Sequence, residues 1–303
     1  MSNINVNFDE LAKKGGLIAE LLTKSNLAWT VSKEPLNYAD GSVSNKVGLR
    51  RSDNRDELGV HSPTYEVFQN HELAELVYEL ANTFDFAIER GLELNGGKKV
   101  SIQLSTGSIK RIGENADTVK KYITAINSFD GSTGVAFGFT YVVISCSNTF
   151  FHAYKGLDHR IRHSSTLRDK IEVALKGMEQ MQEEEKSLYE LYFKMADTPI
   201  TKEIVANTIK IATGGVNIDA KMSELEKDFS KAKIRMSTLL INDTATEIAQ
   251  KGDTLWGLFN GVTKFTTHHS SAPSRENGRE ESKMFGANAQ VDKKVFSYLT
   301  SLV

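Results

Sequence analysis

The chain has 303 residues, 40% hydrophobic and 25% charged, with a formal net charge of −2, so it can bury one large core or two ordinary ones and has no global pull towards nucleic acid. Its single cysteine excludes an intrachain disulfide framework and fits a reducing compartment. The start "MSNINVNFDELAKKGG" lacks an apolar signal-peptide core and no apolar run is long enough to cross a bilayer, so a cytoplasmic protein without a membrane partner is expected.

In "LAWTVSKEPL" the alternation around Trp29 and Val31 predicts a strand that stops at Pro35. "ELGVHSPTYEVF" reads as a strand interrupted at Pro63. In "NHELAELVYELANTF", Leu73, Leu76, Val77, Leu80 and Phe84 recur at helical spacing, with Asn70 placed to cap the N-terminus. "KKVSIQLSTGSIKRI" reads as a hairpin turning at Gly107. "KYITAINSF" and "GVAFGFTYVVISC" predict two longer strands joined by the turn "DGSTG". In the second, Val135, Phe137, Phe139, Tyr141 and Val143 share one face, while Ala136, Gly138 and Thr140 keep the other face small.

Beyond residue 160 the period becomes helical. A long helix is expected from Thr166 to Met195, capped by Ser164 or Ser165, with Leu167, Ile171, Leu175, Met178, Met181, Leu188, Leu191 and Met195 as its apolar stripe. Shorter helices are predicted around "TKEIVANTIKIA", "DAKMSELEKDFSKAKIRM" and "DTLWGLFNGVTKFTTH". "HHSSAPSRENGREESKM", His268 to Met284, reads as a flexible loop, and "DKKVFSYLTSLV" as a last helix. The expected class is α+β. An antiparallel sheet core fills residues 1–160, and a helical region over 161–303 packs on it as one unit.

"ISCSNTFFHAYKGLDHRIRHSS", Ile144 to Ser165, holds the cysteine, three aromatics, three histidines and three basic residues. It poses a choice between a catalytic pocket, a metal site and a surface for a long anion. Cys146 with His152 or His163 would make a nucleophile and base, but a cysteine ending an apolar strand reads as a small buried hydrophobe. His159 and His163 have the spacing of two helical metal ligands, and no third ligand stands at a recognisable interval. "GSTGVAFG" lacks the lysine and the helix of a phosphate cradle, and Asp130 in "DGSTG" reads as the cap of its turn. No cofactor, no metal and no catalytic residue are expected.

The basic residues are segregated. Lys98, Lys99, Lys110, Arg111, Lys120 and Lys121 form one cluster, and Lys155, Arg160, Arg162, Arg168 and Lys170 a second beside Phe150, Phe151 and Tyr154. Arg50, Arg51 and Arg55 make a third. Cationic tracks interleaved with aromatics are what single-strand binders combine. On composition alone, solvated charges and core aromatics account for the same residues.

"NSFDGSTGVAFGFTYVVISCSNTF" resembles the signature segment of a phage- and plasmid-associated family catalogued as a domain of unknown function. The family's N-S-H-D-G-S is matched with Phe129 in place of the histidine. Cys146, Asn148 and Thr149 keep its V-C-x-N-T-L ending approximately. "WTVSKEPL", "LGVHSPTYEVFQNHEL", "RHSSTLRDKIEVAL" and "DTLWGLFNGVTKFTTHH" extend the resemblance from Trp29 to His269. It implies a setting among phage replication and recombination genes. The strand-rich core followed by a helix is also similar, as a fold-level analogy, to single-strand annealing proteins of the RecT and Red-beta type.

The expectation is therefore a non-enzymatic phage-type protein that binds single-stranded DNA without ATP and promotes annealing and recombination as a homo-oligomer. Its nucleic-acid contacts would be Lys98, Lys99, Lys110, Arg111, Lys120, Lys121, Tyr154, Lys155, Arg160 and Arg162. The alternative is a phage protein that binds and inhibits a host defence or replication protein.

Overall fold

The computed structural model describes residues 8–113, 117–143, 148–153, 177, 186–217 and 219–303. The fold is α+β, with antiparallel sheets in the first half and helices mostly in the second. The chain divides into two compact units. Unit 1 comprises Met1–Gly107, Tyr122–Gly138 and Ala153–Glu179; unit 2 comprises Ser108–Lys121, Phe139–His152 and Gln180–Val303.

Helix α1 (Phe8–Lys24) is followed by a three-stranded sheet of β1 (Val31–Asn37), β2 (Val43–Arg51) and β3 (Glu57–His61) in that order. β1 does not stop at Pro35: Pro35 pairs with Val47, and the register slips only after it. Proline is tolerated because β1 is an edge strand, where a missing N–H breaks no ladder. β3 ends before Pro63, as expected.

Helix α2 (Asn70–Phe84) carries the predicted stripe, and Leu73, Leu76, Val77 and Leu80 are fully buried. Its cap is Gln69 rather than Asn70. The Gln69 backbone N–H donates to Glu72 (2.7 Å), while its side-chain amide bonds both backbone groups of Val31, at 2.8 and 2.9 Å. Asn70 is buried and its amide donates to the Leu27 and Trp29 carbonyls. The side chain that looked like a cap ties the helix to the chain before β1.

The second sheet has the order β4 (Ala87–Leu94), β5 (Lys99–Ile112), β6 (Asp117–Ser128), β7 (Ala136–Val143) and β8 (Asn148–Ala153). β6 and β7 are neighbours, as the alternation predicts, and β6 is the central strand. Val135, Phe137, Tyr141 and Val143 are all buried. The predicted hairpin at Gly107 is absent: β5 runs straight through it, with φ +66° at that one residue. A glycine at positive φ inside a strand makes a bulge as readily as a turn. The hairpin that leads into β5 lies earlier, where Asn95, Gly96 and Gly97 all have positive φ.

Within the predicted long helix, residue 177 and residues 186–197 are helical, the latter here α3; 166–176 and 178–185 lie outside the described residues. α4 (Lys202–Thr213), α5 (Met222–Asp228), α6 (Lys231–Lys251) and α7 (Leu255–Lys264) follow. The helix expected around "DAKMSELEKDFSKAKIRM" is two, α5 and α6, divided where Phe229 and Ser230 are extended and Ser230 caps the second. Thr201, Ser230 and Thr254 hydroxyls cap α4, α6 and α7 by accepting from the N–H three residues on. The expected loop from His268 to Met284 is largely structured. A π-helical turn continues α7 through His269, and Gly278–Met284 form α8, before α9 (Ala287–Thr300). Among the described residues no helix is long and apolar enough to cross a membrane.

Candidate functional site

In unit 1 the segment "NSFDGS" and the segment "LGVHSPTYEVF" are bonded to each other. The buried Asn127 amide donates to the Phe68 carbonyl (2.8 Å), and the Tyr65 hydroxyl donates to the Ser128 carbonyl (3.3 Å). A His61 ring nitrogen donates to the Phe129 carbonyl (2.7 Å), and its ring stacks on Tyr65 at 4.0 Å. Phe129 is fully buried, with its ring 5.6 Å from that of Trp29. This closeness depends on Gly59, because a Cβ there would sit 2.6 Å from the Phe129 carbonyl oxygen.

Asp130 caps its own turn, as the sequence indicates, by accepting from the Ser132 N–H at 2.9 Å. Its other oxygen holds the Lys99 ammonium at 3.0 Å. Burial alone would raise the Asp130 pKa, but the Ser132 bonds and the Lys99 charge outweigh it and hold the carboxyl below its ordinary 3.8. Burial, reinforced by the Asp130 charge, pushes Tyr65 up to about 12, so its phenol stays protonated and able to donate.

A carboxylate whose folded pKa is depressed stabilises the fold above its unfolded pKa and loses that contribution as pH falls through the folded value. Stability of the wild type should therefore decline as pH drops below 3.8, and Asp130→Asn should flatten that limb. Urea unfolding across the acid range measures it; equal acid limbs in both proteins would remove Asp130 from the account.

In unit 2 Asn148 and Thr149 meet the segment "WGLFNGVTKFTTHH". The Asn148 amide donates to the Asn260 carbonyl (3.2 Å), and the Thr149 N–H donates to the Thr267 hydroxyl (3.1 Å). Asn148, Tyr192, Trp256, Asn260 and Thr263 line one narrow cavity. Nearby in this unit Asp117 accepts from the Lys251 ammonium and from the Trp256 indole N–H (3.1 Å). Lys264 holds the fully buried Glu247 at 3.0 Å. Sequence reading missed this buried ionic network; its only trace is charge placed at positions that also satisfy an apolar period, as Glu247 and Lys251 do on α6.

The nucleic-acid candidates fall into three groups. Lys98 and Lys99 belong to unit 1; Lys110, Arg111, Lys120 and Lys121 belong to unit 2. Tyr154, Lys155, Arg160 and Arg162 lie outside the described residues, as do Cys146, His159 and His163. Lys99 is committed to Asp130, and Lys121 is only 5% exposed, so neither presents an ammonium to solvent. Lys110 and Arg111 are exposed, and Lys98 and Lys120 half-buried.

The third basic cluster is internally neutralised. Arg51 is buried against Asp53 and Glu93, both at 2.7 Å, and stacks on Trp29 at 4.2 Å. Arg50 and Arg55 both pair with Glu34. His269, expected as a solvated loop residue, instead bonds Asp243 at 2.6 Å. Among the described residues no group of three or more His, Cys, Asp or Glu could hold a metal ion.

No curated protein and no solved structure matches the chain. A family profile does match, over residues 57–288, from the first residue of β3 to the first turn of α9. It spans both pairs of interlocked segments and well over half of the sequence. The chain accordingly belongs to the family described as a domain of unknown function, DUF932.

Proposed function

We propose that this is a phage-type protein that binds single-stranded DNA without ATP or a cofactor and, as a homo-oligomer, promotes strand annealing and recombination. One observation carries the reading. At the end of β5, Lys110 and Arg111 are consecutive and both exposed. A chain of net charge −2 that exposes two consecutive cations can hold a phosphate backbone locally while repelling anions elsewhere. The cations grip the backbone, and the bases remain available to a complementary strand.

The alternative, a phage protein that inhibits a host defence or replication protein, draws on a different feature. The tip of the β1–β2 hairpin projects Tyr38, 60% exposed, and Val43, 70% exposed, which suits an apolar protein contact.

Binding to oligo(dT) across a salt series separates the two. Each lost phosphate contact should reduce the salt slope by about 0.7, so Lys110→Ala/Arg111→Ala should flatten log affinity against log salt by about 1.4. Arg160→Ala/Arg162→Ala should do the same. A wild-type protein without salt-sensitive affinity for single strands would sink the annealing reading and leave the host-protein one.

A further inference from the structure

Within unit 2 the end of β5 runs along one face of α3. The Lys110 ammonium lies 5.8 Å from the centre of the Tyr189 ring, and a Cβ on Gly113 would touch Ala196 at 3.4 Å. Tyr189 and Ala196 are two helical turns apart, and Phe193 falls between them on the same side. Tyr189 is 5% exposed, whereas Phe193 is 42% exposed, so an aromatic face that is covered at one turn is open at the next.

That face is rigidly backed. Tyr189 meets Tyr141 and Tyr192 edge-on, with ring centres 5.9 and 6.0 Å away, and all three are buried. Lys110 is exposed on the strand and Lys194 on the helix beside Phe193.

We infer that Phe193 is a stacking platform for an unpaired base, with a flanking phosphate held by Lys110; the inference rests on the single-strand reading above. A duplex offers this ring no free base face, because its bases are already stacked on one another. A single strand offers one at every nucleotide.

Phe193→Trp in the full-length protein gives a direct readout. The native Trp29 and Trp256 are both 4% exposed, so the new indole is the one a strand can reach. Oligo(dT) should quench it and a duplex of equal length should not. Phe193→Ala should weaken oligo(dT) binding between about fivefold and about a hundredfold without changing the salt slope. Phe193→Leu, which keeps the bulk but not the π-face, should weaken it as much and separates stacking from packing.

If the wild type binds with a salt slope while the alanine and leucine variants bind equally well, the platform is wrong and the single-strand reading stands. Equal quenching by duplex also rejects the platform. If the wild type shows no salt-sensitive affinity, both fall together.

Discussion

Lys251→Met should lower the stability of the protein by about 3–5 kcal/mol, because it takes an ammonium away from two buried carboxylates at once. Lys251 pairs with Asp117 and stands 3.7 Å from Glu247 one helical turn away. Side-chain exposure is 5% for Lys251, 8% for Asp117 and none for Glu247. Asp117 would keep the Trp256 indole N–H and Glu247 would keep Lys264, and neither substitute removes the desolvation of the ion left behind. Lys251→Met/Asp117→Asn should therefore cost less than the single change, since one of the two carboxylates that lose the ammonium is then neutral. Urea unfolding of the three proteins measures this, and a double variant less stable than the single one would refute the charge argument.

Gly261→Ala should cost about 1–3 kcal/mol despite being a favourable exchange in an isolated helix. α6 and α7 cross so closely that a Cβ on Gly261 would collide with the Thr244 Cα and come within 3.0 Å of its N and Cβ. The obstacle is helix backbone, so the two helices must separate, and the packing around the buried Leu240, Leu258 and Val262 loosens with them. A midpoint of denaturation at or above the wild-type value would show that the crossing can relax.

The legible parts of this fold are those set by near neighbours. Period-two alternation locates β6 and β7, "DGSTG" gives the turn between them, and the apolar period locates α2. The misread parts depend on distant partners. Gly107 has the same local signature whether the strand turns or bulges, and only the pairing of β5 decides. The polar run after His269 looks like a loop, yet α8 is pinned by the buried Lys283, which bonds Asp292 and the Thr266 hydroxyl. Burial drives Lys283 down and Asp292 up in pKa. Charge counting has the same blindness: it places Lys99 and Lys121 among the surface cations, and cannot see Asp130 beside the first or the burial of the second.

The way the chain threads its two units bears on how it can be assembled during synthesis. Unit 1 is not complete when Gly107 emerges from the ribosome, because Tyr122–Gly138 has still to be made, and the intervening Ser108–Lys121 belongs to the other unit. That stretch, including the end of β5, must wait for helices that begin beyond Gln180. Closing such long loops precedes any reward from the contacts they make, which is the condition for slow, non-local folding. Strand pairing itself does not wait, since each strand pairs with its neighbour in sequence; what stays open is the apolar surface those helices cover, and that surface is what a chaperone would meet first.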